Sequence, residues 1–458
     1  MSVTYPARRQ ETAVLPLPFL PRTTAPNATV PTTSTRAITR TAPRTVTPTA
    51  ILTAAALTAA TLTASASMPT ADASPLIPGS AMPEPMAPII TPDWSGLDVR
   101  DHVDLPSDPG ILIDAVPLAE NLRMPAGGET QQRIVYSTID QHGEIAASTA
   151  AVFLPQGTAP EGGWPVIAWA HGTTGMGDNC TPSAGSRNDK DLVNQWVDAG
   201  YAVVASDYTG MGTPGLMSYF NGEATATSVV DSVIAVHDLE ADLSTRWAVA
   251  GQSQGGGAAL HVAHGASERS AAAGLDYRGA VATGAPGYIE EVMILAGPSS
   301  PPVPLPGTLS AYLLYTLAGF REARPDLDVD SVLTDEGRRM VDTAETTCLR
   351  EFRRALDGVN IASAFSADLR SVPGLESALR AYMSTPTDGY DRPVFLGHGL
   401  LDTDVPSPIG MMVNSQLWVN QFAGSNEQVE VHWYPTDHSG VMSQSFGDAA
   451  AFMTRIMA

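Results

Sequence analysis

Gly251-Gln-Ser253-Gln-Gly255 is the one G-x-S-x-G pentapeptide in the chain. A serine hydroxyl attacks an acyl carbon only when a neighbouring base removes its proton, so a histidine and an orienting acid must lie within reach. The pentapeptide follows the apolar run Trp247-Ala-Val-Ala250 and opens onto a small-residue stretch, 256–264. That context predicts a sharp strand-to-helix turn, with glycine on both sides of a strained, projecting Ser253. A Gly-rich packing turn is the plain alternative.

The acid and the base are expected later in the chain, each in a loop beyond a strand's carboxyl end. Gly399-Leu-Leu-Asp402-Thr-Asp404-Val-Pro406 follows the run Pro393-Val-Phe-Leu-Gly397, and Pro435-Thr-Asp437-His438-Ser-Gly440 follows the last one, Val429-Glu-Val-His-Trp-Tyr434. His438 is the expected base. Asp402, the first acid after its strand, is favoured over Asp404, which is expected to cap the next helix; Asp437 is the weaker candidate. His398, His432, His261 and His264 are expected to pack or to face solvent. His171-Gly172-Thr173-Thr174-Gly175 follows the run Pro165-Val-Ile-Ala-Trp-Ala170. The Thr173 N–H is the expected oxyanion donor from that loop, the Gln254 N–H the second, and His171 the brace.

These loops need a frame. Stretches around 133–139 and 146–154 read as a hairpin about Gln141-His-Gly143. The runs at 165–170, 201–206, 247–251 and 279–284 are apolar without polar alternation, as in parallel strands buried on both faces. Helical patterns at 191–198 and 228–237 separate them, so right-handed crossovers and an α/β sandwich are predicted. The alternation stops near Pro286 and resumes near Pro393. Residues 287–388 hold helical stretches and a Pro-rich segment, 301–306, suited to a strut. They are expected to form a cap whose apolar inner face, Leu313 and Leu317 included, takes an acyl chain. The same spacing also suits a helix packed on a core. The expected division is 1–73, 74–125 (a Pro-rich N-terminal segment), 126–286 (core), 287–388 (cap) and 389–458 (core).

The chain has 458 residues and a net charge of −23; residues 1–73 carry +4, leaving −27 for the remainder. An acidic body excludes nucleic acid as the natural partner. A mean hydropathy near zero fits a globular protein and no stable membrane span. Residues 1–49 lack any period. The run Ala50-Ile-Leu-Thr-Ala-Ala-Ala-Leu-Thr-Ala-Ala-Thr-Leu62 lies between Arg36, Arg40 and Arg44 and the small residues of 64–73. This pattern, near 36–73, predicts a secretory signal, with a membrane anchor as the alternative. Cys180 and Cys348 are the only cysteines, too few for a thiolate zinc site. In an exported chain they are expected to pair and tether cap to core.

Together these blocks resemble the secretory lipase family of the α/β-hydrolases, related to yeast lipase A, over roughly residues 125–285 and 390–445. The most telling block is Tyr201-Ala-Val-Val-Ala-Ser-Asp207-Tyr208-Thr-Gly210-Met-Gly212-Thr-Pro214, with Ser206 where the family usually has proline. The spacing of Asp402, Val405 and Pro406 matches the family's acid loop. The resemblance implies an α/β-hydrolase fold, a mostly parallel sheet flanked by helices, with an inserted helical cap. It implies hydrolysis of acyl esters by Ser253, His438 and Asp402 without metal or organic cofactor, on lipid esters at a lipid–water interface. A serine peptidase of the same fold and a non-catalytic binding protein are the alternatives. No pattern sets an oligomeric state.

Overall fold

Runs of apolar residues with no polar face can be satisfied only between two layers, and the chain folds accordingly. In this computed structural model Val99 and residues 104–185, 187–239, 241–300 and 305–458 are described. The strands are β1 (Leu112–Pro117), β2 (Gly127–Ile139), β3 (Ile145–Pro155), β4 (Trp164–Ala170), β5 (Ala202–Ser206), β6 (Leu243–Gln252), β7 (Asp276–Thr283), β8 (Val394–Gly399) and β9 (Val429–Tyr434). They form one sheet in the order β1-β2-β3-β5-β4-β6-β7-β8-β9. The pairings among β1, β2, β3 and β5 are antiparallel, and those from β5 through β9 are parallel.

The helices are α1 (Lys190–Asp198), α2 (Gly222–Val236), α3 (Gln254–Ala272), α4 (Ile289–Met293), α5 (Gly307–Ala323), α6 (Asp335–Thr346), α7 (Leu349–Ala355), α8 (Leu375–Met383), α9 (Ser407–Phe422) and α10 (Gly440–Met457). Alternate residues of each central strand serve opposite layers. Ala168, Val204, Val249 and Leu396 pack with α2, α3 and α9, whereas Trp169, Val203, Ala250 and Phe395 pack with α1 and α10. Each parallel strand thus delivers its carboxyl-end loop to the same sheet edge.

Two features depart from the sequence-based expectation. The Pro-rich segment before the hairpin contributes an edge strand, β1, with Ala115 opposite Ile134. An edge strand draws its stability from one neighbour's backbone, so it needs no apolar run, and Pro117 at its end is tolerated. The second lies in the insertion between β7 and β8, which is helical as expected, with α4 to α8 and no strand among the described residues, but turns its apolar face elsewhere. Leu314, Tyr315, Leu317, Ala318 and Phe320 of α5 are fully buried in the same core as α2 and α3. Tyr315 packs 5.4 Å from Tyr219, and the Tyr382 hydroxyl donates to the Tyr219 carbonyl at 2.9 Å.

Leu317 is therefore a core residue rather than an acyl-binding one, and Leu313 is half-buried against that core. Leu317→Ala is expected to cost about 2–5 kcal/mol of stability. Thermal melting checks this, together with an acyl-chain preference that stays as in the parent. Residues 301–304 of the proposed strut and the secretory signal lie outside the described residues. Among the described residues no helix is long and apolar enough to cross a membrane.

Candidate active site

Ser253 occupies the turn between β6 and α3 with φ 57° and ψ −121°, a conformation that costs a non-glycine residue strain. Its N–H donates to the Thr283 carbonyl at 2.9 Å, which ties the turn to β7. The flanking glycines are there for close approach. A Cβ on Gly255 would stand 1.9 Å from the Ala170 carbonyl oxygen, and one on Gly251 would stand 2.1 Å from the Gly255 carbonyl oxygen. The turn is wedged against the end of β4, where the loop 171–175 begins.

His438 and Asp402 come together from loops 36 residues apart. The His438 Nδ1 lies 2.7 Å from Asp402 Oδ2, and both side chains are buried. A carboxylate at that distance requires the proton on Nδ1, leaving Nε2 as the acceptor. The other Asp402 oxygen accepts the backbone N–H of Asp404 at 2.9 Å and of Val405 at 2.8 Å. The tight turn of this loop thus orients the acid before the imidazole does. His438 Nε2 is buried and makes no hydrogen bond, to Ser253 or any other group. His438 and Ser253 nevertheless line one cavity of about 200 Å³ with Thr173, Tyr312, Leu349 and Met442.

The rivals go elsewhere. Burial pushes His398 down to about 4; its Nε2 lies 3.2 Å from Asn414 Oδ1 and its ring stacks on Trp433. Burial also pushes half-buried His261 on α3 down to about 4. His264 bonds the Asp388 carbonyl, and His432 stacks on Phe395. Exposed Asp437 accepts the Gly440 N–H at 2.8 Å, at the first residue of α10. Asp404 does not cap α9, whose N-cap is Pro406. It is half-buried on the wall of the Ser253 cavity, and burial raises its carboxyl. Pro406 displaces the capping position two residues beyond Asp404.

The loop 171–175 is braced from three sides. The buried His171 ring stacks on Tyr208 with centroids 4.2 Å apart, and the Tyr208 hydroxyl donates to the His171 carbonyl at 2.8 Å. The Thr173 hydroxyl and the Tyr219 hydroxyl share a hydrogen bond of 2.7 Å. Leu349 N–H donates to the Thr174 carbonyl at 2.9 Å, and Gly175 bridges to Cys348. Cys180 and Cys348 are joined by a disulfide with their Cα atoms 5.4 Å apart. The second expected oxyanion donor, Gln254, begins α3 and is buried.

Sequence reasoning passed over Gln252 and Tyr219. Gln252 Nε2 donates to the His438 carbonyl at 2.8 Å, linking the residue before the serine to the histidine loop. Its position inside the pentapeptide was the available signal. Tyr219 lies in an irregular stretch with no motif, and only its contact with Thr173 reveals it.

No protein-family model matches the sequence, and no curated protein matches it. Solved structures with similar architecture include lipase A from Candida antarctica in its closed state, at 17% identity and a TM-score of 0.62, covering 76% of this chain and 82% of that one. They also include the rice cell wall degrading esterase LipA from Xanthomonas oryzae, at 19% identity and a TM-score of 0.58, covering 75% of this chain and 95% of that one. At such identities the likeness concerns the fold alone: with its mostly parallel sheet flanked by helices, the chain has the α/β-hydrolase fold.

Proposed function

We propose that the protein hydrolyses carboxylic esters. The observation that supports this reading is the Asp402–His438 pair at 2.7 Å, whose free Nε2 belongs to the cavity that strained Ser253 also lines. In the reaction, Ser253 Oγ attacks the ester carbonyl as His438 Nε2 takes its proton. The N–H groups of Thr173 and Gln254 stabilise the oxyanion, and Asp402 stabilises the imidazolium. His438 then protonates the leaving alcohol as the C–O bond breaks. Water, deprotonated by the same nitrogen, attacks the acyl-enzyme and releases the acid.

Lipid esters are the proposed natural class. In support, Trp169, Tyr312, Leu349 and Met442 give the cavity apolar walls. With Leu317 committed to the core, the space beside Ser253 suits short acyl groups over long ones. Export is part of the proposal, and a disulfide suits an oxidising compartment.

The test uses p-nitrophenyl butyrate and palmitate below and above their solubility limits, with a p-nitroanilide of the same acyl group as control. Butyrate is expected to be turned over faster than palmitate, and the anilide not detectably. A fluorophosphonate probe is expected to label Ser253, seen as a mass shift on its peptide. No ester turnover and no label would reject the reading, while anilide turnover above ester turnover would favour a peptidase.

A further inference from the structure

In a chain of net charge −23, an arginine has no shortage of carboxylates to bind. Among the described residues nearly every arginine is engaged. Arg187 grips Asp189 at 2.9 and 3.0 Å, Arg321 binds three acids, and Arg380 holds Glu291. Others reach backbone carbonyls, as Arg246 reaches that of Met457. Among the described residues, the arginines whose guanidinium makes no hydrogen bond or ion pair are Arg350, Arg353 and Arg354, and all three lie on the single short helix α7. All three are exposed.

That helix stands at the reaction cavity. Arg353 lines the cavity of about 200 Å³ that holds Ser253 and His438. Arg350 and Arg353 line a neighbouring one of about 450 Å³. The two cavities share Thr174, Asn188, Leu349 and Arg353 as walls, so they meet beside the loop 171–175. The walls of the larger one are mostly polar, including Asn179 and Thr181. Three residues apart on a helix, Arg350 and Arg353 project from one side. Their helix is held in place by the disulfide at Cys348, by the Leu349–Thr174 hydrogen bond and by buried Phe352 against Tyr315. The acids on these walls are Glu351 on the larger cavity and Asp189 and Asp404 on the smaller; Asp189 is held by Arg187, and Asp404 feels the charge of Arg353 but makes no hydrogen bond or ion pair with it.

We propose that this cleft selects ester substrates carrying an anionic group, a carboxylate or a phosphate, and that Arg350 and Arg353 are its specificity-determining residues. The proposal rests on the ester-hydrolase reading and narrows the substrates of that site to esters, lipid esters included, that carry such a group. Guanidinium forks bind such oxyanions in bidentate fashion, and two of them on one side of the cleft draw anions against the overall field of the chain.

Matched ester pairs test it. On the acyl side, p-nitrophenyl hydrogen glutarate is compared with p-nitrophenyl pentanoate; on the alcohol side, para-butyryloxybenzoate is compared with its methyl ester. A phosphate-bearing aryl butyrate separates phosphate from carboxylate. In at least one pair the anionic ester is expected to have the higher kcat/KM, and added salt is expected to reduce that preference. Arg350→Gln with Arg353→Gln is expected to lower the anionic-to-neutral ratio by about tenfold, the size of a lost charge-assisted contact that is partly screened. Arg353→Lys is expected to restore part of it.

The same ratio in parent and double variant, or a neutral preference in every pair, overturns the proposal. Calorimetric titration of glutarate and of inorganic phosphate into the full chain keeps the two readings apart. Arginine-dependent binding without ester turnover would reject the hydrolase reading and leave the anion site standing. Ester turnover with no anion binding would do the reverse. Melting curves of the variants show whether the fold is retained.

Discussion

Replacing Ser253 by alanine is expected to lower kcat on p-nitrophenyl butyrate by about 10⁴–10⁶, because the nucleophile acts as a unit with its base. The folded fraction should stay unchanged, since alanine removes no contact of the core and the hydroxyl makes no structural bond. The sharper comparison is between the three aspartates. Asp402→Asn is expected to cost about 10³–10⁴ in kcat, since an amide favours the wrong imidazole tautomer while keeping the shape. Asp404→Asn should cost far less, because its carboxyl lines the cavity but bonds no ring nitrogen. Asp437→Asn should leave kcat intact and cost at most about 1 kcal/mol of stability through its hydrogen bond to the Gly440 N–H. Steady-state kinetics with urea unfolding on each variant checks all three. Equal, mild losses at Asp402 and Asp404 would remove Asp402 from the orienting role.

The second large effect is expected at the disulfide. Cys180 and Cys348 close a loop of 168 residues. By the chain-entropy relation, replacing both with serine should cost about 5 kcal/mol of stability. Activity should fall as well, for a local reason. The bond lies next to the Gly175–Cys348 bridge and the Leu349–Thr174 hydrogen bond, which pin the loop carrying Thr173. Freeing Cys348 loosens that pin and with it the expected oxyanion donor, so kcat should drop while KM changes less. Urea unfolding of parent and double variant measures the first effect, and kinetics at a temperature where both remain folded measures the second. Thiol labelling of the unreduced protein is expected to find no free thiol. Two reactive thiols per chain, or full kcat in the double variant, would reject the linkage.

Much of the frame was legible because its causes are local. A parallel strand buried on both faces must be a continuous apolar run, and β4 to β8 announced themselves in that way. The elbow at Ser253 needs small neighbours on both sides, and glycine stands at 251 and 255 because a Cβ there would come within 2.1 and 1.9 Å of backbone oxygens. The order serine, acid, histidine, each beyond a strand end, follows from the same strand pattern. Hence Ser253 and His438 could be singled out as candidates without the fold.

What only the tertiary structure decided involves partners distant in sequence or positions whose chemistry is permissive. Asp402, Asp404 and Asp437 are alike as residues; their roles diverge because one turn aims the first at His438 while the others face the cavity wall and a helix end. The apolar face of α5 reads the same whether it lines a groove or packs on α2 and α3, since periodicity reports that a face is covered and not by what. Strand β1 escaped notice because an edge is held by its neighbour's backbone. The uncommitted arginines of α7 could not be told from the paired ones in composition, because whether a guanidinium is free depends on which carboxylates the fold leaves within its reach.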